Sequence, residues 1–197
     1  MVSDKIIIGI TGKAQSGKST IAAHLCRMYG FQEFPLASGL KKAATALFGW
    51  SASEIETSKD LVDPYYGISP RQFLQALGTD FTQHILSEMY PEYGKVTGRL
   101  LHMKRFHSFY NTTKATRIVI PDIRFPHEIN YLTLSFNNAI ILNTSRPKEM
   151  RGDVSPHDSE HHIDELKADY FIHNDTNSFS ALFAEVDATM REVLHDR

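Results

Sequence analysis

Apolar positions along the chain cluster in short runs separated by longer amphipathic or polar stretches. The runs are Lys5 to Ile10, Phe31 to Phe34, Arg117 to Ile120, Ala139 to Leu142 and Tyr170 to Ile172. A strand covered on both faces has no polar side to alternate with, so such runs predict a parallel sheet with helices in the crossovers. Helical periodicity supplies the covers. Ile21, Leu25, Cys26 and Met28 mark the apolar side of a helix closed by Gly30, and Ser38 to Phe48 forms a second, stopped by Gly49. Pro70 to Leu77 is expected to stop at Gly78, and Thr79 to about Tyr90 at Pro91. Ser69 starts the first of these. As N-cap it precedes Pro70 at the first helical position and Gln72 at the third, a capping box. Phe179, Leu182, Phe183, Val186, Met190, Val193 and Leu194 share one stripe of a final helix, read as core. The pattern is that of an α/β fold around a five-stranded parallel sheet.

The first strand changes the picture, because it feeds Gly12-Lys13-Ala14-Gln15-Ser16-Gly17-Lys18-Ser19-Thr20, a G-x-x-x-x-G-K-S loop. Glycines let successive backbone N–H groups turn toward an anion, and the following helix points its positive end at the same place. Lys18 is then expected to neutralise β- and γ-phosphate charge, and the Ser19 hydroxyl to ligate Mg²⁺. A plain glycine turn between strand and helix is the alternative. The strand before the loop and the amphipathic helix after it favour the phosphate reading.

Composition narrows the class. The 197 residues suit one α/β domain, and a formal charge of −2 gives no reason to expect a nucleic-acid partner. No apolar run approaches the roughly 20 residues of a membrane span, and the N-terminus lacks a signal-peptide layout, so a cytoplasmic enzyme is expected. Cys26, the single cysteine, reads as packing.

Other segments offer chemistry. Arg117 to Ile120 ends in Pro121-Asp122-Ile123-Arg124, and ligands of open α/β sheets gather at the carboxyl ends of strands. Asp122 is placed there to coordinate Mg²⁺ water or to face an acceptor phosphate, with Arg124 two residues on as a bidentate clamp. An Asp-Arg pair capping the next helix is the plainer alternative. Arg71 falls in the first turn of the helix from Pro70, where backbone N–H groups and a guanidinium together would hold an anion; a solvated surface arginine is the competing reading. Lys41 is balanced between ligand contact and a solvated helix face. Residues 145 to 159, rich in Pro, Gly and charge, read as an exposed mobile loop whose Arg146 and Arg151 supply positive charge for phosphoryl transfer, or are simply polar-loop arginines. His157, His161 and His162, with Asp158 and Glu160, lack the paired cysteines or His-Glu-x-x-His helix that would argue for zinc. Tyr93 to Thr116 is a basic ligand-facing helix or a solvated one. Phe34, Trp50, Tyr65 and Tyr66 are suited to base stacking and equally to core packing.

The phosphate loop, Ala37-Ser38-Gly39-Leu40-Lys41, Ser69-Pro70-Arg71-Gln72-Phe73-Leu74-Gln75-Ala76-Leu77-Gly78-Thr79-Asp80, Asp122-Ile123-Arg124-Phe125-Pro126-His127-Glu128 and His157-Asp158-Ser159-Glu160 together resemble the bacteriophage deoxynucleoside monophosphate kinases, a branch of the P-loop kinases. Ile172-His173-Asn174-Asp175 looks like that family's last strand and turn. The resemblance implies a three-layer P-loop kinase fold with a substrate-binding helical insertion at about 36 to 115 and a lid at about 145 to 160. It implies transfer of the ATP γ-phosphate to a deoxynucleoside monophosphate with Mg²⁺. By analogy Lys18 and Ser19 hold MgATP, Ser38, Lys41, Arg71, Gln75, Asp122, Arg124 and Glu160 line the monophosphate pocket, and Arg146 and Arg151 belong to the lid. The chain departs from the pattern at Gln83, where an arginine is expected, and over Tyr93 to Thr116. No dedicated general base is required, since a monophosphate oxygen is already anionic. A homodimer is left open. The rivals are another small-molecule kinase of this fold, such as a dephospho-coenzyme-A kinase, and a nucleotide-sensing switch, against which stands the lack of an Asn-Lys-x-Asp stretch.

Overall fold

The structure, a computed structural model, describes residues 5–92, 99–151, 163 and 166–195. The chain forms two compact units, one from Met1–Pro35 with Thr112–Arg197 and the other from Leu36–Asn111.

The first unit is built on five strands, β1 (Ile6–Thr11), β2 (Gln32–Glu33), β3 (Arg117–Ile120), β4 (Ala139–Ser145) and β5 (Tyr170–His173). All pair in parallel, in the order β2-β3-β1-β4-β5. The two longest strands, β1 and β4, thus lie inside the sheet, where both faces are covered. Ile7, Ile8 and Ile10 of β1 are fully buried. Ile8, Ile10, Val119, Ile140, Leu142 and Ile172 pack on one face against α1 (Lys18–Tyr29) and the C-terminal helix Phe179–His195. The expected stripe is largely core: Leu182, Val186, Met190 and Val193 are buried, whereas Phe179 is exposed. These two helices are also joined by a polar contact. Asp187 Oδ1 lies 2.7 Å from His24 Nε2 and accepts from the Tyr29 hydroxyl at 2.8 Å. Burial, reinforced by that carboxylate, pushes the Tyr29 phenol up to about 12. Cys26 is partly buried against the same core, and burial raises its thiol, consistent with packing.

The second unit is helical. It holds α2 (Ser38–Phe48), α3 (Ala52–Thr57), α4 (Pro70–Gln75), a π-helical stretch (Ala76–Ile85), α5 (Leu86–Met89) and α6 (Leu101–Thr112). Ala44, Trp50 and Ile55 form its core with Phe48, Ile68, Phe73 and Leu74 around them. Trp50 stacks on Phe48 at 4.3 Å and donates its indole N–H to Asp63 at 2.7 Å, so it serves packing. Tyr65 is exposed.

Two sequence expectations require correction here. Gly78 does not stop a helix, because the backbone runs on through the π-helical stretch from α4 into α5. A Cβ at Gly78 would approach Leu40 Cδ1 to 2.6 Å, so the glycine permits close approach of this segment to α2. Second, Ser51 and Glu54 form a capping box that starts the unexpected helix α3. The helical part of Tyr93 to Thr116 is α6, which buries Met103 and Phe106; residues 93–98 lie outside the described ones.

Candidate active site

The loop after β1 has the backbone that an anion cradle needs. Gly12 has φ 146°, Gln15 φ 61° and Gly17 φ 108°, three residues on the positive-φ side within six positions. At Gly12 a Cβ would lie 2.3 Å from the Thr144 carbonyl oxygen, so glycine is needed there on space as well as dihedral grounds. Gln15 carries no such excuse, and a non-glycine residue in this region is strained. Lys13 O accepts from Ser16 N at 3.2 Å, which closes the turn, and Gly17 O accepts from Ile21 N at 2.9 Å, which opens α1. Lys18 folds back over the loop, its Nζ donating to Gly12 O at 2.6 Å and Lys13 O at 2.7 Å. Ser19 is exposed in the first turn of α1. The hydroxyls of Thr11 and Ser16 are buried without a hydrogen-bond partner among the described residues.

Asp122 and Arg124 follow β3, the neighbour of β1. The ladder between these strands continues past the end of β3, with Ile123 N donating to Ile10 O at 3.1 Å. Asp122 is thereby held beside the end of β1, at the start of the phosphate loop. The turn is fixed from below by a residue that sequence reasoning did not single out. Glu128, at the third position of α7 (Pro126–Ser135), accepts the N–H groups of Arg124 at 2.8 Å and Phe125 at 3.1 Å. The signal was present: Pro at the first helical position and Glu at the third is a helix-start pattern whose carboxylate reaches back. Burial pushes the Glu128 carboxyl up to about 7, against the lowering effect of those two N–H bonds.

Arg146 follows β4 and donates from Nη2 to Asn177 at 2.7 Å. It lines a small cavity open to solvent, with Gly17, Thr20, Asn174, Phe179 and Leu182 among the other walls. Arg151 is half-buried after the short 3₁₀ turn Lys148–Met150. Glu160, His157, Asp158, His161, His162 and the rest of residues 152–160, where the lid was expected, lie outside the described residues.

In the second unit Ser38 accepts from Arg105 Nη2 at 3.1 Å, while Arg105 Nη1 donates to Leu36 O at 3.0 Å. Lys41 is paired with Glu56, and Arg71 donates from Nε and Nη2 to Asp60. Gln75 is half-buried at the end of α4. The expectation that the first turn of α4 offers backbone N–H groups to an anion is corrected by its bonding. Pro70 has none, Arg71 N donates to Lys59 O at 2.8 Å, Gln72 N to Ser69 Oγ at 3.2 Å, and Phe73 N to Ser69 O at 3.1 Å. That leaves the Arg71 guanidinium, which is itself paired with Asp60. Buried Gln83 occupies the π-helical stretch.

A divalent cation fits the first unit. Mg²⁺ keeps several waters and takes few protein oxygens beside substrate phosphates. An exposed hydroxyl at Ser19 and a carboxylate at Asp122 are such a set, and among the described residues no group of three or more His, Cys, Asp or Glu side chains suits a metal. Among the described residues, no helix is long and apolar enough to cross a membrane.

Comparison with known proteins agrees with this architecture. A solved structure of TT1252 from Thermus thermophilus is similar with a TM-score of 0.52 at 20% identity, covering 95% of this chain and 97% of that one. Shikimate kinase from Aquifex aeolicus is similar with a TM-score of 0.51 at 14% identity, over the same shares of the two chains. In sequence, a candidate deoxynucleotide monophosphate kinase of Acanthamoeba polyphaga mimivirus is 29% identical over 167 residues, 79% of this chain and 81% of that protein. The family model for deoxynucleotide monophosphate kinase matches residues 50–186. The phosphate loop lies ahead of that match, so cradle and family match are separate observations. Together they make the chain an ATP-dependent phosphotransferase that belongs to the deoxynucleotide monophosphate kinase family.

Proposed function

We propose that the protein transfers the γ-phosphate of ATP to a deoxynucleoside 5′-monophosphate, giving the diphosphate and ADP. One observation carries the reading: a phosphate cradle at Gly12 to Thr20 shares a chain with the basic residues Lys41 and Arg71, and the family match takes in Arg71. The cradle N–H groups and Lys18 bind and orient the donor polyphosphate. Lys18 already donates to two loop carbonyls, so it exchanges them for phosphate oxygens with little rearrangement. The cavity beside Gly17 and Thr20 takes the donor base, with the Arg146 guanidinium and the Asn177 amide at its wall. In the second unit Arg71, Lys41, Gln75 and Ser38 are the acceptor-binding residues, in the first unit Arg124 is a phosphate clamp, and the acceptor's phosphate oxygen is anionic and attacks in line without a general base. Ser19 and Asp122 would hold Mg²⁺, which when bound supplies charge neutralisation at the β- and γ-phosphates. Arg151 adds positive charge near the transferred group. Soluble nucleotides are sufficient partners, and we place the enzyme in the cytoplasm, that of the host if the chain is viral.

The test is an ADP-release assay across dAMP, dCMP, dGMP, dTMP, the ribonucleotides and dephospho-coenzyme A. Activity on one or more deoxynucleotides is expected. Activity on dephospho-coenzyme A alone, or ATP hydrolysis that no monophosphate diverts, refutes the reading.

A further inference from the structure

In a planar trans peptide the carbonyl oxygen of one residue and the N–H of the next point in opposite directions. The orientation of Ser16 O therefore sets the orientation of the Gly17 N–H, one of the donors of the phosphate loop. Ser16 is fully buried, and its carbonyl accepts two side-chain bonds, from Thr144 Oγ1 at 3.1 Å and Asn174 Nδ2 at 3.0 Å. A carbonyl oxygen has two lone pairs, and both are used. The donors come from distant parts of the sequence. Thr144 lies in β4 and Asn174 directly follows β5, where its own N–H donates to Ser145 O at 2.8 Å. Thr144 is 0% and Asn174 6% exposed, so neither bond competes with bulk water. The fit is close: a Cβ at Gly17 would come within 2.9 Å of Asn174 Nδ2.

We propose that Thr144 and Asn174 are positioning residues for the phosphoryl donor, holding the Ser16 carbonyl behind the loop so that the Gly17 N–H stays aimed at the polyphosphate. The proposal rests on the donor half of the function proposed above. It assigns these side chains an effect through the backbone, with no phosphate contact of their own. Asn174 also lines the cavity beside Gly17 and Thr20, so its replacement alters two features at once. Thr144 is not among the lining residues and is the cleaner probe.

The experiment compares the full-length wild type with Thr144→Val, which keeps shape and removes the donor, Thr144→Ser, which keeps the hydroxyl, and Asn174→Ala. Titration calorimetry with a non-hydrolysable ATP analogue and magnesium is read beside thermal melts and the KM values for ATP and for the monophosphate. Loss of one hydrogen bond in this position is expected to weaken analogue binding about fivefold in Thr144→Val and at least as much in Asn174→Ala. Thr144→Ser should bind as the wild type does, and the monophosphate KM should stay put in all three. The double variant should lose more than the product of the single losses, because the buried carbonyl then has no donor. Unchanged affinity in Thr144→Val overturns the proposal, as does a loss mirrored equally in the monophosphate KM, which is what a general structural role would give. Should Thr144→Val fail to fold, Thr144→Ala, which also removes the donor, decides by the same split between donor and acceptor. A wild type that binds no ATP analogue overturns the proposed function itself, an outcome distinct from a variant matching a wild type that binds.

Discussion

Glu128 Oε2 accepts the backbone N–H of Arg124 at 2.8 Å from a position only 3% exposed. The carboxyl thus braces the turn that carries Asp122 and Arg124, and it does so at the cost of desolvation, which raises its pKa from 4.5 to about 7. Between those values the folded chain holds a proton that the unfolded chain has released. The stability this group contributes is therefore complete below about pH 4.5 and lost as pH climbs through 7. Full loss is on the order of 3 kcal/mol. Urea unfolding of the wild type and Glu128→Gln from pH 4.5 to 8 should show the wild type losing stability relative to the variant as pH rises. A constant difference would refute the buried titration.

Lys18→Ala should lower kcat by at least about 100-fold, since it removes a charge aimed where negative charge develops. Melting should move by no more than a few degrees, because the ammonium's bonds to Gly12 O and Lys13 O lie within its own loop. Steady-state kinetics and calorimetry on the same preparation check both, and parallel collapse of the two would deny Lys18 its role.

Gly12→Ala should be severe. The added carbon would sit 2.3 Å from the Thr144 carbonyl oxygen at a φ of 146°, so backbone must shift in a loop gripped on both sides. A loss of about 3 kcal/mol or more is expected, together with loss of ATP binding. Chemical denaturation measures the first and calorimetry the second.

Asp60→Asn should improve acceptor binding. Asp60 occupies the Nε and Nη2 side of Arg71, the fork that a phosphate would take, and its bond to Arg71 holds its carboxyl below the usual range and thus ionised. Removing that competing charge should lower the monophosphate KM about threefold and leave the ATP KM alone, a modest effect because the pair is solvent-exposed. A raised monophosphate KM would show instead that Asp60 orients Arg71.

The central strands were readable from the sequence because strands buried on both faces leave apolar runs; all five strands overlap the expected stretches, but β2 is only the exposed pair Gln32–Glu33 and β5 exposes Phe171. The phosphate loop was equally readable, since its glycines answer a backbone demand that few other residues meet. The helical unit was harder. Gly78 imitates a helix stop, and only the proximity of Leu40 reveals that it is a packing glycine in a continuing segment. The ion pairs of Lys41 with Glu56 and of Arg71 with Asp60 depend on a loop path that no periodicity encodes. The shared role of Thr144 and Asn174 escaped notice for a similar reason: two polar residues after apolar runs look like ordinary strand ends until both are seen on one carbonyl.

The lysine curled over its own loop has a consequence for the catalytic cycle. Its ammonium keeps the carbonyls of Gly12 and Lys13 as placeholders. When spent ADP departs, the same carbonyls can reclaim it, so the cradle need not collapse and be rebuilt between one turnover and the next.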